Sequence, residues 1–130
     1  MLSVYDGVAR SLTAGPEMSD GAVRAEFVFR DTFAGFEGHF PGNPIVPGIA
    51  QIYAAQITAE TAEMAEGGNR RRIRLKETAR CKFIRPVLPN EVVRISLAGE
   101  WENGVMRCKA NITANGEPCS SMTLVLESVW

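Results

Sequence analysis

The sequence that decides the fold is GHFPGNPIVPG, residues 38–48, followed directly by IAQIYAAQITAETAEMAEGG, residues 49–68. The first part is crowded with glycine and proline, which bend the chain, so it predicts a shaped loop. The second part contains no helix breaker before Gly67, and a proline such as Pro47 is well tolerated where a helix starts. The sequence therefore predicts a loop that leads into a long helix starting near Gly48 and ending at residues 67–69.

The predicted helix is apolar over more than one face. Its charged residues, Glu60, Glu63 and Glu66, are confined to the last turns. A helix without a polar face has to be covered by other parts of the protein. We therefore expect the rest of the fold to wrap this helix along its N-terminal half.

Alternating apolar and polar residues predict strands on both sides of the helix. Four of the five predicted strands follow it. The predicted strands are residues 22–29, 72–84, 91–97, 105–113 and 120–130.

Two hairpin signals join the last three strands, at Glu102–Asn103–Gly104 and at Asn115–Gly116. Residues 13–21 and 66–69 are interpreted as flexible joints. One strand, one buried helix and about four antiparallel strands predict an α+β fold, and we expect residues 1–130 to form a single domain.

Composition narrows the class of protein. The chain has 130 residues, of which 45% are hydrophobic and 22% charged, and its net charge is -1. That balance argues against a protein that coats nucleic acid, because such proteins carry a strong basic excess. No stretch has the length or apolarity of a signal peptide or membrane span, so we expect a soluble, cytoplasmic protein.

Three cysteines, Cys81, Cys108 and Cys119, show no CxxC spacing. With a single histidine in the chain to assist them, a zinc site is not expected. We predict three small, buried, reduced side chains of an intracellular protein.

His39 is the only histidine and lies in the predicted loop just before the helix. Its ordinary pKa of about 6.5 allows an imidazole to take up and return a proton near neutral pH. The N–H of Gly48, in the first turn of the helix, lacks a partner within the helix and points along the positive end of the helix dipole. A proton acceptor and a site for an oxyanion are the minimum needed to remove a proton beside a thioester carbonyl.

Residues 38–48 resemble the signature GHFPxxPxxPG of the β-hydroxyacyl-acyl carrier protein dehydratases of bacterial fatty acid synthesis. A second stretch, ARCKFIRPVLP at residues 79–89, is similar to a segment of that family of the type ARFRRPVxPGD. The resemblance covers roughly residues 21–126. It implies a hotdog fold, in which an antiparallel sheet wraps a long helix, and a dimer whose acyl tunnels lie between the subunits.

The resemblance also implies roles for individual residues. His39 would abstract the α-proton of a 3-hydroxyacyl thioester, and the backbone N–H of Gly48 would bind the thioester oxygen. The family acts without a metal or diffusible cofactor, and a Glu or Asp on the central helix binds and protonates the departing hydroxyl. Here the corresponding position, fourteen residues after His39, is Tyr53.

Tyr53 is the main departure from the family. A phenol, with an ordinary pKa of about 10, is neutral at pH 7. It can donate a hydrogen bond to a leaving hydroxyl but brings no negative charge to a histidinium. The alternative is an aromatic that only lines the tunnel. Ile57 stands where the family commonly has a glutamine, Gln56 is one position early, and Glu60 is expected to lie too far along the helix to substitute.

The leading hypothesis is therefore dehydration of a 3-hydroxyacyl thioester, carried on acyl carrier protein or coenzyme A, to the trans-2-enoyl thioester. The alternatives are a catalytically weakened acyl-binding subunit that pairs with a dehydratase homologue, and a hotdog thioesterase. A homodimer, a larger assembly of dimers or such a heterodimer is expected, without nucleic acid or membrane partners. Basic residues that would steer an acidic carrier protein are Arg70, Arg71, Arg72, Arg74, Lys76, Arg80, Lys82 and Arg85.

Overall fold

The computed structural model describes residues 3–36, 44–67 and 73–129, with the backbone alone for residues 64–67. Within these residues the chain forms two α-helices, a short 3-10 turn at Ala34–Phe36 and seven strands. In chain order the elements are α1 (Val4–Ala9), β1 (Leu12–Ser19), β2 (Ala22–Val28), α2 (Gly48–Gly67), β3 (Ile73–Phe83), β4 (Val92–Ala98), β5 (Trp101–Glu102), β6 (Val105–Ala114) and β7 (Glu117–Ser128).

The strands form one antiparallel sheet in the order β1-β2-β4-β6-β7-β3, with β5 paired to β6. Both predicted hairpins are present. Asn103 and Gly104 have φ angles of 52° and 77°, and Asn115 and Gly116 have 48° and 83°. Two successive positive φ angles are the geometry that matches the twist of paired strands, and asparagine and glycine adopt it at low cost.

The helix α2 packs on one face of this sheet. The residues that it turns towards the strands include Ala50, Ala54 and Ala55, which are 0%, 1% and 0% exposed. Their small side chains allow the helix backbone to approach the sheet closely. The buried Gln51 accepts a hydrogen bond of 2.6 Å from the Ser120 hydroxyl on β7. The predicted α+β arrangement of a sheet around a long helix is confirmed.

The opposite side of α2 is not covered by the sheet. Ile49 is 47% exposed, and Ile52, Tyr53, Gln56 and Glu60 are only partly buried. These residues lie on one side of the helix at 100° per residue. Among the described residues, the sheet covers one side of α2, and α1 contacts part of the other side.

The interpretation of residues 13–21 as a flexible joint is wrong. Leu12–Ser19 is the edge strand β1, joined to β2 by a tight turn at Asp20–Gly21, where both φ angles are positive. Gly15 and Pro16 lie at an interruption of the β1–β2 register. Edge strands and bulges tolerate glycine and proline, which are otherwise rare in strands. The two residues therefore obscured the strand in the sequence pattern.

The cysteine prediction is wrong at one position. Cys108 and Cys119 are buried, and burial raises the pKa of the Cys108 thiol to about 11. Cys81 is exposed and lies on β3, at the edge of the sheet that the described residues form. All three thiols are free. Among the described helices, none is long and apolar enough to cross a membrane.

Candidate functional site

The start of α2 has the geometry predicted for an anion-binding helix terminus. Gly48 is its first residue, and the Pro47 carbonyl accepts hydrogen bonds from the N–H groups of Ala50 (3.0 Å) and Gln51 (3.3 Å). Because the N–H of a first-turn residue has no partner within the helix, that of Gly48 is left to other acceptors. It lies at the positive end of the dipole of a 20-residue helix.

The second motif segment packs directly on this helix start. A Cβ placed on Gly48 would lie 3.0 Å from Cζ of Phe83, so the phenylalanine ring rests against the glycine. The N–H of Val46 donates a hydrogen bond of 2.8 Å to the carbonyl of Val87. The two stretches that carry the family resemblance are therefore neighbours in space.

A partly buried ion pair holds the second segment in place. Arg85 donates to both carboxylate oxygens of Glu91, at 2.9 and 2.5 Å, and to Glu117 at 2.8 Å. Glu91 also accepts a hydrogen bond of 2.7 Å from the N–H of Leu88. The Arg85 guanidinium lowers the pKa of the Glu91 carboxyl. Because Arg85 is paired within the fold, it is removed from the basic residues that were predicted to steer an acidic carrier protein.

The remaining basic residues that the structure describes divide into two groups. Arg74 is paired with Glu127, whereas Lys76, Arg80 and Lys82 are exposed along β3. Arg70, Arg71 and Arg72 lie outside the described residues.

His39 also lies outside the described residues. The chain is described again from Pro44, four residues before Gly48, and runs from there into α2. The role of His39 therefore stays a prediction.

Tyr53 lies on the side of α2 that the sheet leaves uncovered, where it packs against the edge of the core. Its ring meets the ring of Tyr5, on α1, edge to face, with centroids 5.3 Å apart and planes at 74°. Ile57 is 5% exposed and belongs to the core, and its hydrocarbon side chain does not replace the polar group of the family glutamine. Gln56 is partly exposed on the uncovered side.

Glu60 takes part in the same cluster. The Tyr5 hydroxyl donates a hydrogen bond to Oε1 of Glu60. Burial raises the pKa of the Glu60 carboxyl, and burial together with the neighbouring carboxylate raises the pKa of the Tyr5 phenol. Glu60 follows Tyr53 by about 10 Å along the helix axis, as two turns require.

The sequence did not reveal α1 or Tyr5. A signal was present, because Ser3 caps the helix and accepts a hydrogen bond of 3.1 Å from the N–H of Asp6. Serine followed three residues later by an acidic residue is a common helix-start pattern. The helix is only six residues long, too short for apolar periodicity to show.

The described residues contain no group of three or more His, Cys, Asp or Glu side chains that could hold a metal ion. What they do contain is an anion-accepting helix terminus and, about one turn and a half further along α2, a phenol. A helix N-terminus can stabilise negative charge on a carbonyl oxygen, and a phenol can donate a hydrogen bond to an oxygen.

An antiparallel sheet packed on one long helix is the arrangement that defines a hotdog-fold protein. Residues 16–123 match the family described as ApeI-like, ApeI dehydratase. The chain belongs to this ApeI-like dehydratase family.

Curated relatives agree with this assignment. The dehydratase FabZ of Acidiphilium cryptum (strain JF-5), named as acting on 3-hydroxyacyl-acyl-carrier-protein, is 38% identical over 74 residues, which are 53% of this chain and 44% of the relative. FabZ of Acetivibrio thermocellus is 32% identical over 84 residues, which are 63% of this chain and 58% of the relative. The chain thus spans about half the length of the curated relatives that it matches.

Among solved structures, the dehydratase heterocomplex ApeI:P from Xenorhabdus doucetiae superimposes with a TM-score of 0.70 at 19% identity, covering 89% of this chain and 96% of that one. A hypothetical thioesterase with coenzyme A from Streptococcus pneumoniae TIGR4 gives a TM-score of 0.64 at 12% identity, covering 87% and 82%. At these identities the likeness concerns the hotdog fold alone. The predicted fold class and family are confirmed.

Proposed function

We propose that this chain dehydrates a 3-hydroxyacyl thioester to the trans-2-enoyl thioester in fatty acid or polyketide-type synthesis. The observation that carries the proposal is the start of α2, where Gly48, the last residue of the motif that contains His39, is the first residue of the helix. Membership of the ApeI-like dehydratase family supports the same reaction.

The proposed step is an elimination. His39 removes the α-proton while the Gly48 N–H stabilises the negative charge that develops on the thioester oxygen. The bond from the β-carbon to the hydroxyl oxygen breaks as the carbon–carbon double bond forms. The hydroxyl leaves as water with the proton that His39 removed, and Tyr53 donates a hydrogen bond to the departing oxygen.

The test is incubation of the purified protein with 3-hydroxyacyl and trans-2-enoyl thioesters, on coenzyme A and on acyl carrier protein. Interconversion of the two acyl forms without release of free thiol is the expected result. Release of thiol would identify a thioesterase. Binding without either reaction would identify the weakened acyl-binding subunit.

We predict that Tyr53→Phe lowers the dehydration rate by about tenfold while acyl binding persists, because it removes one hydroxyl with little change of shape. The measurement is steady-state kinetics together with binding of the enoyl thioester. Tyr53→Glu restores the carboxylate of the wider family and is the informative counterpart. Unchanged turnover in Tyr53→Phe would reduce Tyr53 to a lining residue, and activity gained only in Tyr53→Glu would favour the weakened-subunit alternative.

We also propose that residues 1–130 form one domain that assembles through a dimer with its own copy or a homologue. The uncovered side of α2, with Ile49 at 47% exposure, supports this, because it leaves apolar groups that a partner would bury. Light scattering is expected to give twice the mass of one chain or a multiple of it. An active monomer at micromolar concentration would contradict the proposal.

The acyl group is proposed to be delivered by acyl carrier protein to the exposed cations Lys76, Arg80 and Lys82, on the edge strand β3.

Free thiols at all three cysteines support a reducing compartment, so we place the protein in the cytoplasm. Recovery with the membrane or secreted fraction would contradict that placement.

A further inference from the structure

The short helix α1 brings an aromatic ring to Tyr53. Tyr5 and Tyr53 are the two tyrosines of the chain. Their edge-to-face contact, with centroids 5.3 Å apart, is the arrangement that the charge distribution of aromatic rings favours. The contact therefore restricts the rotation of a ring that lies on the uncovered side of α2.

The other end of the Tyr5 side chain is also fixed. Its hydroxyl donates to the carboxylate of Glu60, two turns beyond Tyr53 on the same side of α2. Both groups are half-buried, and burial raises the pKa of each. Tyr5 is thus held against α2 at its ring and at its hydroxyl.

The backbone that carries Tyr5 is anchored as well. Val8 is fully buried, and the Ser11 hydroxyl donates a hydrogen bond of 2.8 Å to the carbonyl of Gly7. A Cβ on Gly7 would lie 3.1 Å from Cε1 of Phe33, so α1 packs closely on the loop after β2. The whole helix α1 precedes residues 16–123, over which the family match extends.

We propose that Tyr5 is a positioning residue, which fixes the ring of Tyr53 so that its hydroxyl meets the departing oxygen of the substrate. The inference rests on the proposed dehydration. A phenol turns about two side-chain bonds, and a donor that samples several orientations loses rate because few of them are aligned with the reacting atoms. The edge contact selects one orientation before substrate arrives.

The first experiment is a double-mutant cycle in the dehydration assay. Tyr5→Leu removes the ring contact and the hydroxyl, and is expected to lower kcat by about tenfold with little change in KM. Tyr5→Phe keeps the ring and loses only the link to Glu60, so a smaller loss is expected. In a Tyr53→Phe background neither change should lower kcat further, because the hydroxyl that Tyr5 positions is already absent.

An equal loss of kcat from Tyr5→Leu in both backgrounds would overturn the proposal, because it would show an effect that does not pass through Tyr53. Thermal unfolding of each variant identifies a general loss of structure. If Tyr5→Leu does not fold, Tyr5→Phe takes its place in the double-mutant cycle. The loss of kcat caused by Tyr5→Phe must then likewise be absent in the Tyr53→Phe background.

A second experiment does not depend on activity. In protein labelled with 3-fluorotyrosine, Tyr5→Phe and Tyr5→Leu each leave Tyr53 as the single labelled residue. The fluorine resonance is expected to stay narrow in Tyr5→Phe, and to shift and broaden in Tyr5→Leu. Identical resonances in the two variants would overturn the positioning role. A wild type that does not dehydrate would refute the proposed function, and the resonances would then decide the positioning of the ring by themselves.

Discussion

His39→Ala is expected to lower the rate of dehydration of a 3-hydroxyacyl thioester by about a hundredfold or more, the usual scale for loss of a positioned general base. The physical reason is that the α-C–H group of a thioester is a weak acid. Water is a poorer acceptor for its proton than the imidazole that it would replace. The measurement is kcat and KM on the substrate that gives the highest wild-type turnover.

The control for His39→Ala tests whether the variant still folds and still binds the enoyl thioester. Its thermal unfolding midpoint and its affinity for the enoyl thioester are expected to remain near those of the wild type, because the Gly48 N–H and the rest of the acyl site are retained. Near-normal turnover would remove His39 from the mechanism. A loss of turnover together with a loss of folded structure would not support the role of a base.

Those parts of the fold that depend on local chemistry could be predicted from the sequence. The helix α2 starts at Gly48 and ends at Gly67 because Pro47 suits its start and two successive glycines its end. Asparagine and glycine at 115 and 116 adopt the positive φ angles that a tight hairpin requires. In each case the residue type itself restricts the backbone.

Other parts could not be predicted because they depend on register or on distant contacts. Strand β1 contains Gly15 and Pro16, and only its pairing with β2 at the sheet edge makes it a strand. Cys81 lies exposed on the edge strand β3, and the place of β3 in the sheet depends on strand order. No spacing rule relates Tyr5 to Tyr53 or Glu60, since the contact joins two elements far apart in sequence.

The candidate site could likewise be predicted only in part from the sequence. The motif at residues 38–48 predicted the helix start, and ARCKFIRPVLP predicted a second segment of the same family. That Phe83 rests on Gly48 and that Arg85 is held by Glu91 required the folded chain. The contact between Phe83 and Gly48 shows how a later segment of the chain shapes the place where the thioester oxygen is proposed to bind.

A single substitution can remove the backbone N–H of Gly48 without ending the helix. Gly48 is the first helical residue, a position where proline is favoured because its missing N–H breaks no helical hydrogen bond. Gly48→Pro is therefore expected to leave α2 intact and to lower kcat by about a hundredfold to a thousandfold, the range measured for loss of one oxyanion donor.

The matched control is Gly48→Ala, which keeps the N–H but introduces the same Cβ 3.0 Å from the ring of Phe83. That ring is 51% exposed and can move aside, so only a small loss of turnover is expected from the alanine variant. The ratio of kcat between the proline and alanine variants isolates the N–H from the added bulk. Equal turnover in the two folded variants would exclude the Gly48 N–H as the oxyanion donor. A large loss in the proline variant alone is the result expected if the helix start stabilises the charge on the thioester oxygen.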